Sequence, residues 1–117
     1  MNYSVRGAIS LEKNSTFEIE QATCKLLREI IAQNDIKIFD ITQIIFSATK
    51  DITKAYPAEF ARKIGITHAS LLCVQEMFVE ESLPLCIRIL LNFNAELGKK
   101  ISHVYLGRAK KLRPDLF

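Results

Sequence analysis

The chain has 117 residues, of which 49% are apolar and 25% charged, enough for one domain with a real core and unlike a disordered polymer. Its net charge of +3 comes with no run of five or more like charges, so neither nucleic acid nor a membrane surface is expected as a partner. Cys24, Cys73 and Cys86 are odd in number, lack C-x-x-C spacing and have only His68 and His103 as companions. That pattern argues against a disulfide framework or a zinc site and fits a reducing cytoplasm. No charged segment leads into a long apolar run, and no stretch reaches the ~18 apolar residues of a membrane span. Neither secretion nor insertion is expected, and the numbered chain is taken as the working chain.

In chain order, "YSVRGAISL" (3–11) alternates Tyr3, Val5, Ile9 and Leu11 against Ser4, Arg6, Ala8 and Ser10, which predicts a first strand with Arg6 on its small, polar side. "NSTFEIEQATCKLLREIIAQND" (14–35) offers Ser15 as N-cap and Glu18 three residues on, a capping box. Ile19, Leu26, Leu27, Ile30 and Ile31 then recur at helical spacing, with Glu18, Glu20 and Glu29 on the solvated side. "ITQIIFSAT" (41–49) is β-branched and mostly apolar, an inner strand, and "YPAEFARKIG" (56–65) predicts a short helix with Pro57 in its first turn and Gly65 past its end. "ASLLCVQEMFV" (69–79), "CIRILLNFN" (86–94) and "HVYLGRAKKL" (103–112) read as three more strands. The order yields an α+β or α/β sheet of about five strands with helices on one face. We take it as α+β, a mixed sheet with one long and one short helix. Repeats, low-complexity segments and Gly- or Pro-rich linkers are absent from the sequence, so residues 1–117 are treated as a single domain.

The "CIRILLNFN" strand sends Ile87, Ile89, Leu91 and Phe93 to one side and Cys86, Arg88, Leu90 and Asn92 to the other. The first side is core. A guanidinium on the second cannot lose its charge, so it must be solvated, paired or turned toward an anionic ligand. Familiar catalytic apparatus is missing: the sequence has no G-x-G-x-x-G, P-loop, H-E-x-x-H or G-x-S-x-G. His103 and His68 read as surface or interface histidines, and Cys24 and Cys86 as small buried hydrophobes. What remains is a set of polar residues in or beside apolar strands: Arg6, Cys73, Glu76, Arg88 and Tyr105, with Arg62 and Arg113 in shorter or terminal segments. Taken singly, each reads as an ordinary salt bridge or solvated edge. Together they suit a ligand with carboxylates, which arginine grips in a bidentate fork.

At these residues the chain resembles the chorismate mutase family of the small trimeric AroH type. The likeness is carried in order by "RGA" (6–8), "SAT" (47–49), "YPA" (56–58) with Arg62 after it, "CVQEM" (73–77), "CIRIL" (86–90), and "HVYL" (103–106) followed by "LRPDL" (112–116). It runs in register over nearly the whole chain. The resemblance implies rearrangement of chorismate to prephenate in aromatic amino acid biosynthesis, a pericyclic step that moves no proton and forms no covalent intermediate, with no cofactor and no metal. It implies that Arg88 points at the ether oxygen, Arg6 binds substrate carboxylate near that oxygen, and Tyr105 donates to a carboxylate. Glu76, with the Cys73 region, would engage the ring hydroxyl. Arg62 and Arg113 match more peripheral arginines, and Tyr56, Ala58 and Leu112 the pocket wall. It also implies a homotrimer with a pseudo-barrel core and sites at subunit interfaces, the "LRPDL" end and Arg62 approaching a neighbour's pocket.

Cys73 and Glu76 are three residues apart, so strict alternation sends them to opposite faces; for both to touch a ligand the strand must end, twist or bulge between them, and such an irregularity is expected around Val74 to Phe78. Phe78, in the turn that follows, Leu72 before the cysteine and Glu59 at the entrance depart from the family pattern. Two other readings compete with the enzyme: a non-catalytic metabolite-binding trimer of similar architecture, and a nucleic-acid module using "GRAKKLRPD" (107–115). The second is weakened because that stretch is short and has no interleaved aromatics.

Overall fold

The computed structural model describes residues 1–116. Strands β1 (Asn2–Ser10), β2 (Ile41–Ala48), β3 (Ser70–Gln75), β4 (Cys86–Asn94) and β5 (Val104–Leu106) form one sheet in the order β3-β2-β4-β1-β5. β4 runs antiparallel to both of its neighbours, whereas β2 with β3 and β1 with β5 are parallel, so the sheet is mixed. Helix α1 (Thr16–Gln33) links β1 to β2, and the short α2 (Pro57–Lys63) links β2 to β3. Both helices pack on the same face, where Val5, Ile9, Ile44, Phe46, Ile87 and Leu91 meet Ile19, Leu26, Leu27, Ile30 and Phe60 in the main core.

Local chemistry explains the helix ends. Ser15 caps α1 by accepting a hydrogen bond from the Glu18 backbone N–H at 3.1 Å. The return half of the expected capping box is made differently. Glu18 Oε1 reaches past Ser15 to accept from the N–H groups of Glu12 and Lys13, at 3.0 and 3.1 Å, and so closes the loop that follows β1. At the other end Asn34 is buried yet fully used. Its amide donates to the carbonyls of Ile30 and Ser102, both at 2.9 Å, while its Oδ1 accepts from the Ser102 N–H at 2.7 Å. Asn34 thereby ties the end of α1 to the approach of β5. α2 begins at Pro57 and is followed by Gly65 in the left-handed region, as the sequence predicts.

Strand ends are where the structure departs from expectation. The segment 103–112 is a strand only over Val104–Leu106; Gly107–Leu112 is a 3₁₀ helix. Gly107 turns the chain at φ +61, where a Cβ would come within 2.8 Å of Ser10 Oγ, and that hydroxyl accepts the Arg108 N–H at 2.9 Å. The segment 69–79 likewise stops being a strand at Gln75. The Glu76 N–H still donates to the Ala48 carbonyl at 2.9 Å, but β2 itself ends at Ala48, and among the described residues the β2–β3 ladder goes no further. No bulge lies between Cys73 and Glu76; the strand simply ends. The bulge sits instead between Ile41 and Gln43 in β2, and it lets Ile41 and Ile44, three residues apart, both reach the core.

The seam between β1 and β5 is short and rests partly on His103, whose Nδ1 accepts the Arg6 backbone N–H at 3.0 Å. Burial, with Arg6 and Arg113 beside it, holds the His103 imidazole below its ordinary value. As pH falls below about 6.5 the unfolded chain takes up a proton that folded His103 resists, so its contribution to stability is present above that value and is lost below it. Urea midpoints at pH 7.5 and 5.5 should show His103→Gln losing most of its deficit at the lower pH; an equal deficit at both would refute this. Gly7 faces α1, and a Cβ there would meet Ile30 Cδ1 at 2.8 Å and the Val104 carbonyl at 3.0 Å. Gly7→Ala should therefore cost about 1–3 kcal/mol in the same urea experiment.

Candidate active site

With Ile87, Ile89, Leu91 and Phe93 buried under the helices, β4 must turn Cys86, Arg88, Leu90 and Asn92 to the second face of the sheet. Residues paired across a ladder project to the same side. Ser47 of β2 and Ala8 of β1 both stand opposite Arg88, and Tyr105 of β5 stands opposite Ala8. Tyr105, Ala8, Arg88 and Ser47 thus form one row across four strands, with Arg6 two residues along β1 on the same face. Arg6 is exposed, Arg88 half-buried, and Tyr105 buried beside Ala8, Cys86 and Ala109. The 3₁₀ helix that follows β5 folds onto this corner and brings Leu112 against the same small cluster.

Glu76 joins the row from the end of β3. Its N–H bond to Ala48 continues the β2–β3 ladder by one residue, and its Oε1 accepts the Ser47 hydroxyl at 2.5 Å while lying 3.4 Å from Arg88 Nε. Arg88 Nε is buried and makes no well-aligned hydrogen bond among the described residues. Arg88 therefore has a carboxylate beside it without being closed into a fork by it. Burial pushes the Cys86 thiol up, with the Arg88 guanidinium offsetting part of that rise. Arg113 grips Asp115 through Nε and Nη2 at 3.0 and 2.8 Å, which holds the Asp115 carboxyl below its usual range. That contact first, and Tyr105 next, raise the basicity of Arg113.

The remaining expected site residues fall elsewhere. Cys73 stands opposite Phe46 on the helix-facing side of β3 and packs against the main core, so one chain does not bring its side chain to Glu76. Tyr56, largely exposed, caps α2 and lines an open cleft of about 600 Å³ with Cys73, Lys50, Lys54 and Glu59. Ala58 does not reach the cleft wall; it lies on the buried face of α2. Arg62 projects from α2 into solvent, with no charged partner among the described residues. His68 is exposed, and Cys24 and Cys86 are buried thiols. Three side chains near the site were not singled out from the sequence: Ser47, Lys50 and Lys54. Alternation along β2 from buried Phe46 points Ser47 at Arg88, but only the pairing of β2 with β4 makes that visible. Lys50 sits 3.9 Å from the centre of the Phe78 ring, a cation–π contact that gives the unexpected Phe78 a partner.

Among the described residues, no group of three His, Cys, Asp or Glu side chains is placed to hold a metal ion, and no helix is long and apolar enough to cross a membrane. What the second face presents is fixed cations, a carboxylate and a phenol on rigid strands, an arrangement suited to binding a polyanion and stabilising charge. The model of the family "Chorismate mutase type I" matches residues 3–116. The chain is similar to chorismate mutase AroH of Thermus thermophilus, at 41% identity over 96% of this chain and 93% of the relative. It is similar also to chorismate mutase AroH of Bacillus subtilis, at 38% identity over 96% of this chain and 90% of the relative. A solved chorismate mutase from Clostridium thermocellum superposes with a TM-score of 0.89 at 41% identity, covering 93% of this chain and 98% of that one. Sequence, fold and the placement of Arg6, Glu76, Arg88 and Tyr105 on one face thus agree, and the chain belongs to the type I chorismate mutase family.

Proposed function

We propose that this chain catalyses the rearrangement of chorismate to prephenate, and that Arg88 is the residue on which the rate depends. The supporting observation is the environment of Arg88: a permanently charged group on a central strand, with its Nε beside but not forked by Glu76. In the reaction an ether C–O bond breaks as a C–C bond forms within the same molecule. Negative charge grows on the ether oxygen and no proton changes hands. An enzyme for this step needs to hold the compact conformer and meet the growing charge with a cation that is already in place. Arg88 fills that role, since an interaction that strengthens only in the transition state accelerates the chemical step. Arg6 binds a substrate carboxylate, Tyr105 donates to a carboxylate, and Glu76 accepts from the ring hydroxyl. Arg113 and Arg62 draw the dianion in from the periphery, while Tyr56 and Leu112 wall the pocket and Ala58 seats the first turn of α2 against the core next to Tyr56.

The site is completed between subunits of a homotrimer. Support comes from the second face itself, where Ile45 and Leu90 are only partly covered and Leu72 and Val74 are exposed. Apolar side chains in that number on an open sheet favour a second layer. A closed ring supplies one from a neighbour and shields the β3 edge as well. In such a ring the Tyr56, Arg62 and Cys73 side of one chain approaches the Arg88 row of the next. Three free thiols agree with a reducing cytoplasm as the working compartment.

Loss of chorismate absorbance should report turnover by the purified protein. Arg88→Gln should slow kcat by at least roughly 10²-fold, the scale of a lost oxyanion donor. Arg88→Lys should also be poor, because lysine offers a point charge without the planar fork; near-normal rates in both would remove Arg88 from the reaction centre. Arg62→Ala should raise KM more than it lowers kcat, the reverse pattern placing it at the ether oxygen. Sedimentation equilibrium should return a mass of three 13.3 kDa chains, and a single-chain mass in an active sample would dismiss the interface site.

A further inference from the structure

Ser47 has no role in the reading above, yet its hydroxyl is the shortest polar contact made by Glu76. Ser47 stands opposite Arg88 on the adjacent strand, half-buried, with its Oγ 2.5 Å from Glu76 Oε1. The same Oε1 is the oxygen nearest Arg88, at 3.4 Å from Nε, while Oε2 accepts no hydrogen bond among the described residues. The backbone of Glu76 is held from the same strand, by the Ala48 carbonyl. A carboxylate left alone beside a guanidinium closes into a two-pronged fork, in which each charge is largely spent on the other. Here the serine hydroxyl takes one acceptor site of the oxygen that would lead that closure, and that oxygen stands 3.4 Å from Nε. Two groups of opposite charge therefore stand side by side with Oε2 and the Arg88 Nη groups still available to a ligand.

We propose that Ser47 is a positioning residue that keeps Glu76 from neutralising Arg88, so that the two act on substrate as separate groups. This rests on the chain being a chorismate mutase that uses Arg88. The effect should appear in kcat, because the charge at stake is the one that meets the transition state. The substitution Ser47→Thr keeps a hydroxyl at this position on a side chain that suits a strand, and so serves as the conservative control.

The test compares steady-state kinetics on chorismate for the wild type, Ser47→Ala and Ser47→Thr, with Ser47→Ala repeated in a Glu76→Ala background. It is paired with the Arg88 Nε–H resonance of the wild type and Ser47→Ala without substrate. Ser47→Ala should lower kcat/KM roughly tenfold, the scale of a hydrogen bond to a charged group, mostly through kcat. Ser47→Thr should recover most of that loss. Added to Glu76→Ala, Ser47→Ala should change kcat/KM by less than about twofold, since the group through which it acts is gone. The Arg88 Nε–H resonance should move downfield in Ser47→Ala as the fork closes. Wild-type kcat/KM in Ser47→Ala, or an equal loss in both backgrounds, overturns the proposal. A wild type that does not turn over chorismate sinks the assigned reaction instead; the resonance then still judges Ser47, and an unchanged position in Ser47→Ala overturns its role.

Discussion

The middle strand of the sheet carries two demands that only one register satisfies. Burying Ile87, Ile89, Leu91 and Phe93 under α1 and α2 contributes about 1.5–3 kcal/mol for each side chain. A slip of one residue would expose that set and push the Arg88 guanidinium into the core, where an unpaired charge costs far more than any single apolar side chain returns. The position of Arg88 is thus held by the same forces that hold the core, although Arg88 itself adds little to stability. Its ion pair with Glu76 is partly exposed and weak as a structural bond.

From that register the rest of the second face follows by pairing. β2 and β1 flank β4, so Ser47 and Ala8 must lie beside Arg88, and β5 must lay Tyr105 beside Ala8. Ala8 is small, which leaves room between the phenol and the guanidinium. The termini of elements do the remaining placement. β3 ends where its partner β2 ends, delivering Glu76 beside Ser47. Gly107 and Ser10 turn the chain after β5, carrying Leu112 and Arg113 back toward Tyr105. Asn34 and His103 anchor the approach to β5, so a strand of only three residues is securely seated against β1.

A rearrangement that moves no proton needs no tuned acid or base. It needs charges whose positions do not relax when the transition state forms, and strands hold side chains more tightly than loops do. Arg6, Arg88 and Tyr105 are all borne by strands, and Glu76 is pinned through both its backbone and its side chain. Lys50, Lys54 and Glu59 lie in the cleft lined also by Tyr56 and Cys73. Charge along that cleft is thus set by two lysines and a glutamate.

Whatever depends on a local period could be read along the chain. Alternation along 86–94 separates Arg88 from the core, alternation along 3–11 places Arg6 and Ala8 together, the 3.6-residue spacing of Ile19, Leu26, Leu27 and Ile30 defines α1, and Pro57 and Gly65 bracket α2. The run of motifs from "RGA" to "LRPDL" was also legible, and with it the family. Where the strands stop was settled only in three dimensions, because a strand lasts as long as its neighbour does and no local pattern records the neighbour's length. Residues 107–112 and 77–79 could pass for strand on composition yet join no strand ladder among the described residues, and Ile41 reaches the core through a bulge that alternation does not announce. The burial of Ala58 and the hydroxyl of Ser47 beside Glu76 arose the same way, from contacts between segments far apart along the chain, whereas the separation of Cys73 from Glu76 follows the alternation of their own strand.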